Sequence, residues 1–396
     1  MILSETPASV SDFLLCCRTY ELPRLDATMD GAIDPKLDHV EQLRQELGAS
    51  WPTLQQARQS AAEVRQLLEG ALGDVPSSDI DVVAFGSLAR GEWTSGSDVD
   101  WTLLIDGQAS PDHRGTAREV ARRLGKVEYQ GKKLPAPGTE QIFGNMAFGH
   151  EIIHHIGGQA DSNKNTTQRV LLLLEAVPIR LKKPVDEVGP YERIVRGILF
   201  RYLHDDTNFF AADAEDSRIP RFLLNDIVRY WRTMCVDFAY KEWEQAGGKW
   251  ALRNIKLRMS RKMLFVSALL TVFSCYKNPT LALKTLGPDN YVAAMQRHLI
   301  NFVETPSLGI IAWSLRQLGL GKECGQLFEQ YEQFVQCLHD DKIRAHLGKL
   351  DPRQVYKDKD FLRVRTISHE VQRLLRYIFF EAQSELQEFT FDYGVF

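Results

Sequence analysis

Apolar positions along the chain alternate between helical and strand spacing, and each change marks a new element. From Pro35 to about Leu72 they recur at helical spacing, as Leu37, Val40, Leu43 and Leu47 and then Val64, Leu67, Leu68 and Leu72, with a break at Ser50-Trp51-Pro52. Two helices leading into the next unit are predicted. Between Val82 and Asp106 (VVAFGSLARGEWTSGSDVDWTLLID) two apolar runs flank a polar turn, which predicts strand, loop with a helical turn, strand. Asp112 to Leu124 is an amphipathic helix with Arg114, Arg118 and Arg122 along a solvated side, and Lys126 to Gln130 alternates as a further short strand. Pro135 to Gly149 is rich in Gly and Pro and reads as a loop. Arg169 to Ala176 is apolar on most sides, a buried helix that Thr166-Thr167 can cap. Pro178 and Pro184 then end the segment, and from Tyr191 onward nearly everything carries helical periodicity up to an aromatic tail, EFTFDYGVF. The expected fold class is α+β, a small mixed sheet with flanking helices followed by a large helical domain. Its parts are an N-terminal arm and helical lead-in over 1–75, a core over 76–185, and helices with the aromatic tail over 186–396.

Composition narrows this picture only slightly. At 396 residues, with 44% hydrophobic and 25% charged, the chain is globular and long enough for two domains. A formal charge of −4 argues against a protein that coats nucleic acid. Cysteines at 16, 17, 235, 275, 324 and 337 have neither CxxC nor Cys/His ligand spacing, so reduced thiols are expected rather than disulfides or zinc. The opening MILSETPASVSDFLLCC lacks a basic n-region, and no apolar run is long enough to span a membrane, which together predict a cytoplasmic protein.

The chemistry concentrates in the central unit. Asp98 and Asp100 stand at i and i+2, so on a strand both carboxylates share one face while Val99 and Trp101 take the other. Two such carboxylates repel unless a cation lies between them, and Mg²⁺, a hard ion held by carboxylates and substrate phosphates, suits them. Gly86-Ser87 lies just upstream, where a Gly lets backbone approach a phosphate and Ser87 can donate from hydroxyl and N–H. Glu92 and Arg90 are expected to fix the intervening loop by local hydrogen bonds. On the helices, Asn225, Arg229 and Arg232 form one polar stripe and Arg253, Lys256 and Ser260 another. Polar stripes on otherwise apolar helices are costly unless an anion offsets them.

The order Gly-Ser, Arg-Gly-Glu, Ser-Asp-Val-Asp resembles the signature of the polymerase β-like nucleotidyltransferase superfamily. That resemblance implies Mg²⁺-dependent transfer of a nucleoside monophosphate from an NTP or dNTP to a hydroxyl, with pyrophosphate released and two Mg²⁺, or Mn²⁺ in their place, held by Asp98, Asp100 and a third carboxylate. Glu128 occupies the matching place for the third, with Glu151 and Asp161 as competitors. It also implies a helical-domain cation on the β/γ-phosphates, for which Lys256 with Arg253 is the candidate, so that Gly86, Ser87, Asn225, Arg229, Arg253 and Lys256 form the expected nucleotide-binding set. His150-Glu151-Ile152-Ile153-His154 satisfies the HExxH pattern of zinc proteases, but Gly157-Gly158 would end the required helix early and the neighbouring unit explains a different chemistry.

More narrowly, GTEQIFGN, HHIGGQADSN and TTQRVLLLLEA, with LLNDIVRYWR and LRNIKLRMSRK, look like standalone bacterial nucleotidyltransferases of antiphage defence, of the type found in Hailong systems. This implies template-independent synthesis of a short deoxyoligonucleotide acting on a membrane effector encoded nearby, with Tyr393 as a candidate first acceptor. Two alternatives stay open: a toxin-like nucleotidyltransferase that modifies a protein, tRNA or small molecule, and a noncatalytic nucleotide-binding module.

Overall fold

The structure is a computed structural model and describes residues 32–73, 75, 78–135, 143–179, 188–204, 218–244, 248–276, 278, 281 and 286–395. The N-terminal arm up to residue 31, with Cys16 and Cys17, lies outside the described residues.

The lead-in folds as its caps dictate. Asp38 accepts from Glu41 N (2.9 Å) to open α1 (His39–Leu47), and Gly48, at φ 59°, closes it. Pro52 starts α2 (Pro52–Leu72), and the break between them seats Trp51 edge-on against Phe328 from the helical region. Glu332 accepts from Thr53 N and Leu54 N, both at 2.8 Å, placing a carboxylate at the positive end of α2.

Next come β1 (Ile80–Phe85), the short helix α3 (Gly86–Arg90), β2 (Trp101–Ile105) and α4 (Asp112–Leu124). β3 (Glu128–Tyr129) and β4 (Lys132–Lys133) are followed by β5 (Asn145–Phe148), α5 (Gly149–His154), α6 (Asn163–Leu174) and β6 (Ala176–Pro178). The main sheet has the order β5-β2-β1-β6 and is mixed, as expected: β1 is antiparallel to β2 and β6, and β5 is parallel to β2.

Three details depart from the sequence reading. The strand expected over Lys126–Gln130 is only a two-residue arm of a separate ribbon, turned by Gln130 and Gly131, both at positive φ. The outer strand is β5, four residues from a stretch whose Gly and Pro content suggested a loop. Finally, α6 stops at Leu174, and the apolar residues after it pair with β1, Ala176 opposite Phe85. A continuous apolar run does not separate strand from buried helix by periodicity.

The sheet is covered on both faces. Ile80, Val82, Ala84, Trp101 and Leu103 pack with Val64 and Leu68 of α2 and Val120 of α4. Val83, Phe85 and Leu104 join the larger core made with the C-terminal helices. Those helices begin with α7 (Pro190–His204), whose Tyr191 N donates to the buried Asp81 of β1 at 2.9 Å. They continue with α8 (Arg221–Glu244), α9 (Trp250–Lys256), a π-helical turn over Leu257–Arg261, and α10 (Lys262–Phe273). The remainder comprises α11 (Pro288–Val303), α12 (Ser307–Gln317), α13 (Gly321–His339), α14 (Asp341–Lys349), α15 (Lys359–Phe380) and α16 (Ser384–Phe389). Among the described cysteines, Cys275, Cys324 and Cys337 are buried free thiols and Cys235 is an exposed one. Among the described residues no helix is long and apolar enough to cross a membrane.

Candidate active site

The site is built where β1 ends and β2 begins. Phe85 N donates to Asp100 O (2.9 Å), so the antiparallel ladder runs one residue past β2 and brings the acidic pair beside the end of β1. Asp98 and Asp100 thus precede β2 rather than lie within it, yet the alternation holds, because Val99 and Trp101 are both buried in the α2 and α4 core. Gly86 turns the chain at φ 69°, and a Cβ there would stand 3.3 Å from Asp100 Oδ2. A side chain at this position would be strained and would push on the carboxylate. Gly86→Ala is therefore expected to lower turnover at least about 10-fold, since roughly 1.4 kcal/mol suffices for that factor. Steady-state rates with circular dichroism as a folding control check it.

Asp100 is largely buried, and burial, followed by the charge of Asp98, pushes its carboxyl up to about 7. Arg261 and Lys256 oppose that rise. Lys256 is half-buried, and its desolvation first, then the neighbouring Arg344, Arg261 and Arg90, bring its ammonium down to about 8 despite the pull of Asp98. Arg344, from α14, is held down by burial while Asp98 and Asp341 counter it. Two carboxylates thus face two poorly solvated cations. A divalent cation fits the acidic pair: it would offset both the desolvation and the repulsion by Asp98 that hold the Asp100 carboxyl up, and Gly86 leaves the approach clear of side-chain atoms.

Under the pair lies a network that sequence reasoning missed. Glu175, the residue between α6 and β6, is fully buried and receives one hydrogen bond from Arg90 and another from Arg261. Burial alone would raise its pKa, but Arg261 and Arg90 outweigh it and hold the carboxyl below its ordinary value. Arg90 also donates to Glu92 at 2.9 Å, the local bond expected for this loop. The charge of Glu175 reaches Asp100, so a third carboxylate does approach the pair, from the strand next to β1. The signal was available as one acid inside the apolar run LLLLEAVP.

The other expected residues are placed as follows. Gly86 and Lys256 come together with Asp98 and Asp100, and Ser87 follows Gly86 in the first turn of α3. Glu128 does not join them: it is exposed on the β3–β4 ribbon, opposite Lys133, because that ribbon is not part of the main sheet. Glu151 is exposed on α5, and Asp161 binds Arg169 at 2.9 Å. Asn225 and Arg229 line a groove of about 380 Å³ with Asn163 and Arg232. Arg229 donates there to the Asp161 carboxylate (3.2 Å) and carbonyl (3.0 Å). That groove flanks the start of α6, whereas Glu175 follows its end; a helix of 12 residues separates them by about 18 Å. The α8 stripe is therefore offset by a protein carboxylate, not assembled around the acidic pair. Arg253, one turn before Lys256, donates to Gly248 O at 2.5 Å. His150 and His154 lie with ring centroids 4.7 Å apart and planes tilted by 45° on a helix of six residues, outside the site. Tyr393 packs on Tyr276, centroids 5.5 Å apart, beyond the far end of α10 from Arg261, about 20 Å away.

No curated protein matches the chain. Residues 64–136, which run from α2 through the acidic pair, match the family model described as "Nucleotidyltransferase domain".

Proposed function

We propose that the protein transfers a nucleoside monophosphate from an NTP or dNTP to a hydroxyl and releases pyrophosphate. The observation that carries this reading is Asp100 set against Gly86 with Asp98 beside it, and Lys256 and Arg344 close to Asp98. Two Mg²⁺, or Mn²⁺ in their place, held by Asp98 and Asp100 would acidify the attacking hydroxyl and neutralise the leaving group. Gly86 and the Ser87 hydroxyl and N–H cradle phosphate oxygens at the start of α3. Lys256 offsets the charge of the triphosphate. Glu175, through Arg90 and Arg261, keeps the floor beneath the metal ligands rigid. No covalent enzyme intermediate is needed, because the chemistry is positioning plus charge stabilisation.

The product is proposed to be a short, template-independent oligonucleotide used in antiphage defence, by the sequence resemblance alone. A membrane effector encoded nearby would be its target. Priming on Tyr393 requires the tail to leave Tyr276. Incubation with each labelled NTP and dNTP, read by denaturing gel and intact mass, tests this. A ladder from one nucleotide supports oligomer synthesis, and mass added at Tyr393 supports self-priming. Consumption only when protein, tRNA or a small molecule is added would favour the toxin-like reading.

The pKa values set a pH profile. Asp100 must be deprotonated to bind metal, and Lys256 protonated to bind phosphate. At subsaturating Mg²⁺, kcat/KM is expected to rise with pH through about 7 and to fall above about 8. Raising Mg²⁺ should move the acid limb lower, and Lys256→Arg should remove the alkaline limb.

A further inference from the structure

We infer that Arg344 is a positioning residue, through which α14 of the helical region holds the loop before Asp98 in its metal-binding shape. This rests on the reading of Asp98 and Asp100 as metal ligands. The loop runs from Thr94 to Ser97 and closes on itself, with Thr94 N donating to Ser97 Oγ (3.0 Å) and Ser97 N to Thr94 O (2.9 Å). Within the turn only Thr94 and Ser97 are buried, and beyond it Val99 is anchored in the core with its N–H donated to Pro135 O (3.3 Å), so Asp98 stands between that anchor and whatever grips the turn.

The grip comes from α14. Arg344 donates to Gly96 O and, at 3.1 Å, to Thr94 Oγ1. One turn earlier Asp341 accepts from Ser95 Oγ at 2.6 Å. The guanidinium lies over the turn so closely that a Cβ on Gly96 would come within 2.7 Å of Arg344 Cδ and Cζ. Gly96 does not need a left-handed backbone here; it is the space taken by Arg344 that a side chain would fill. Arg344 therefore ties Thr94 to Gly96 in the turn that delivers Asp98, with Asp341 holding Ser95 between them, and its planar fork suits the two acceptors as an ammonium would not.

The sign of the metal-binding effect separates positioning from charge. Removing a cation beside Asp98 would by itself strengthen binding of another cation. Loss of the grip lets Asp98 wander and weakens binding, since the ligand must then be ordered by the metal. Gly96→Ala keeps every charge and displaces only the guanidinium.

The test is Mn²⁺ titration of the nucleotide-free protein by electron paramagnetic resonance, with thermal unfolding alongside, for Arg344→Gln, Gly96→Ala and the double variant. Each single variant is expected to weaken Mn²⁺ binding about 10-fold, and the double variant to be no weaker than the poorer single one, because both act on one contact. Asp341→Asn, a milder change at the same loop, should give a smaller loss and covers the case in which a stronger variant fails to fold. Unchanged or tighter binding in Arg344→Gln, or additive losses in the double variant, overturn the positioning role. Asp98→Asn tells the two failures apart: if it too leaves Mn²⁺ binding unchanged, the metal-ligand reading itself falls, whereas loss there with none at Arg344 removes only the inference.

Discussion

Asp98→Asn and Asp100→Asn should each abolish nucleotide transfer, by about 10³-fold or more, and neither should unfold the protein. Each removes a charged ligand from a site where cation chemistry supplies several kcal/mol, and every 1.36 kcal/mol is a tenfold change in rate. The two substitutions differ in what they do to stability. Folding raises the Asp100 carboxyl from its ordinary 3.8 to about 7, so the folded state favours the protonated form. The stability it contributes is full below about pH 4 and is lost as pH rises through 7. At pH 8 without metal the buried, repelled carboxylate costs the fold energy, and Asp100→Asn should raise the thermal midpoint by several degrees. A scan at pH 8 in chelator against one at pH 5 checks this, because the gain should shrink at the lower pH. An Asn variant that is inactive and less stable at pH 8 would mean that Asp100 is a structural carboxylate.

The largest effect on stability is expected at Glu175. Its carboxylate is fully enclosed and serves both Arg90 and Arg261, and breaking a buried charge pair from one side leaves the partner uncompensated at about 3–5 kcal/mol. Glu175→Gln should therefore lower the denaturant midpoint by a corresponding amount while the slope stays the same. Pairing it with Arg261→Met, which removes one stranded cation, should recover part of the loss. Tyr230 and Tyr331, both buried against this network, would report its collapse through near-ultraviolet circular dichroism. Activity should fall as well, since Arg90 ends the helix that begins with Gly86 and Ser87.

Much of the site can be read from local sequence because its central parts are adjacent in the chain. Gly86-Ser87 and Asp98-x-Asp100 belong to one β-hairpin-like unit, and their alternation with Val99 and Trp101 survives in the fold. Lys256 was singled out with Arg253 by its place in a polar stripe and by the family resemblance. Glu128 was misplaced because a two-residue arm looks the same in sequence whether it joins the main sheet or a private ribbon. Glu175 was hidden for the opposite reason: it sits in a run so apolar that a helix seemed to continue through it. Arg261 ends a π-helical turn and Arg344 lies on a helix of ordinary amphipathic pattern, and only tertiary packing brings them to the acidic pair. The stripe of Asn225 and Arg229 was real, yet a distant carboxylate, Asp161, supplies the anion that its pattern demanded for Arg229.

The most direct test of the central claim follows the fate of the phosphates. The protein is incubated with Mg²⁺ and each nucleotide labelled either at the α- or at the γ-phosphate, with and without nucleic acid, with Asp98→Asn as control. The α-label is expected to enter a larger product while the γ-label leaves as pyrophosphate, and both changes should vanish in the control. Transfer of the γ-label to an acceptor, its release as orthophosphate, or no consumption of any nucleotide under these conditions would contradict the central claim.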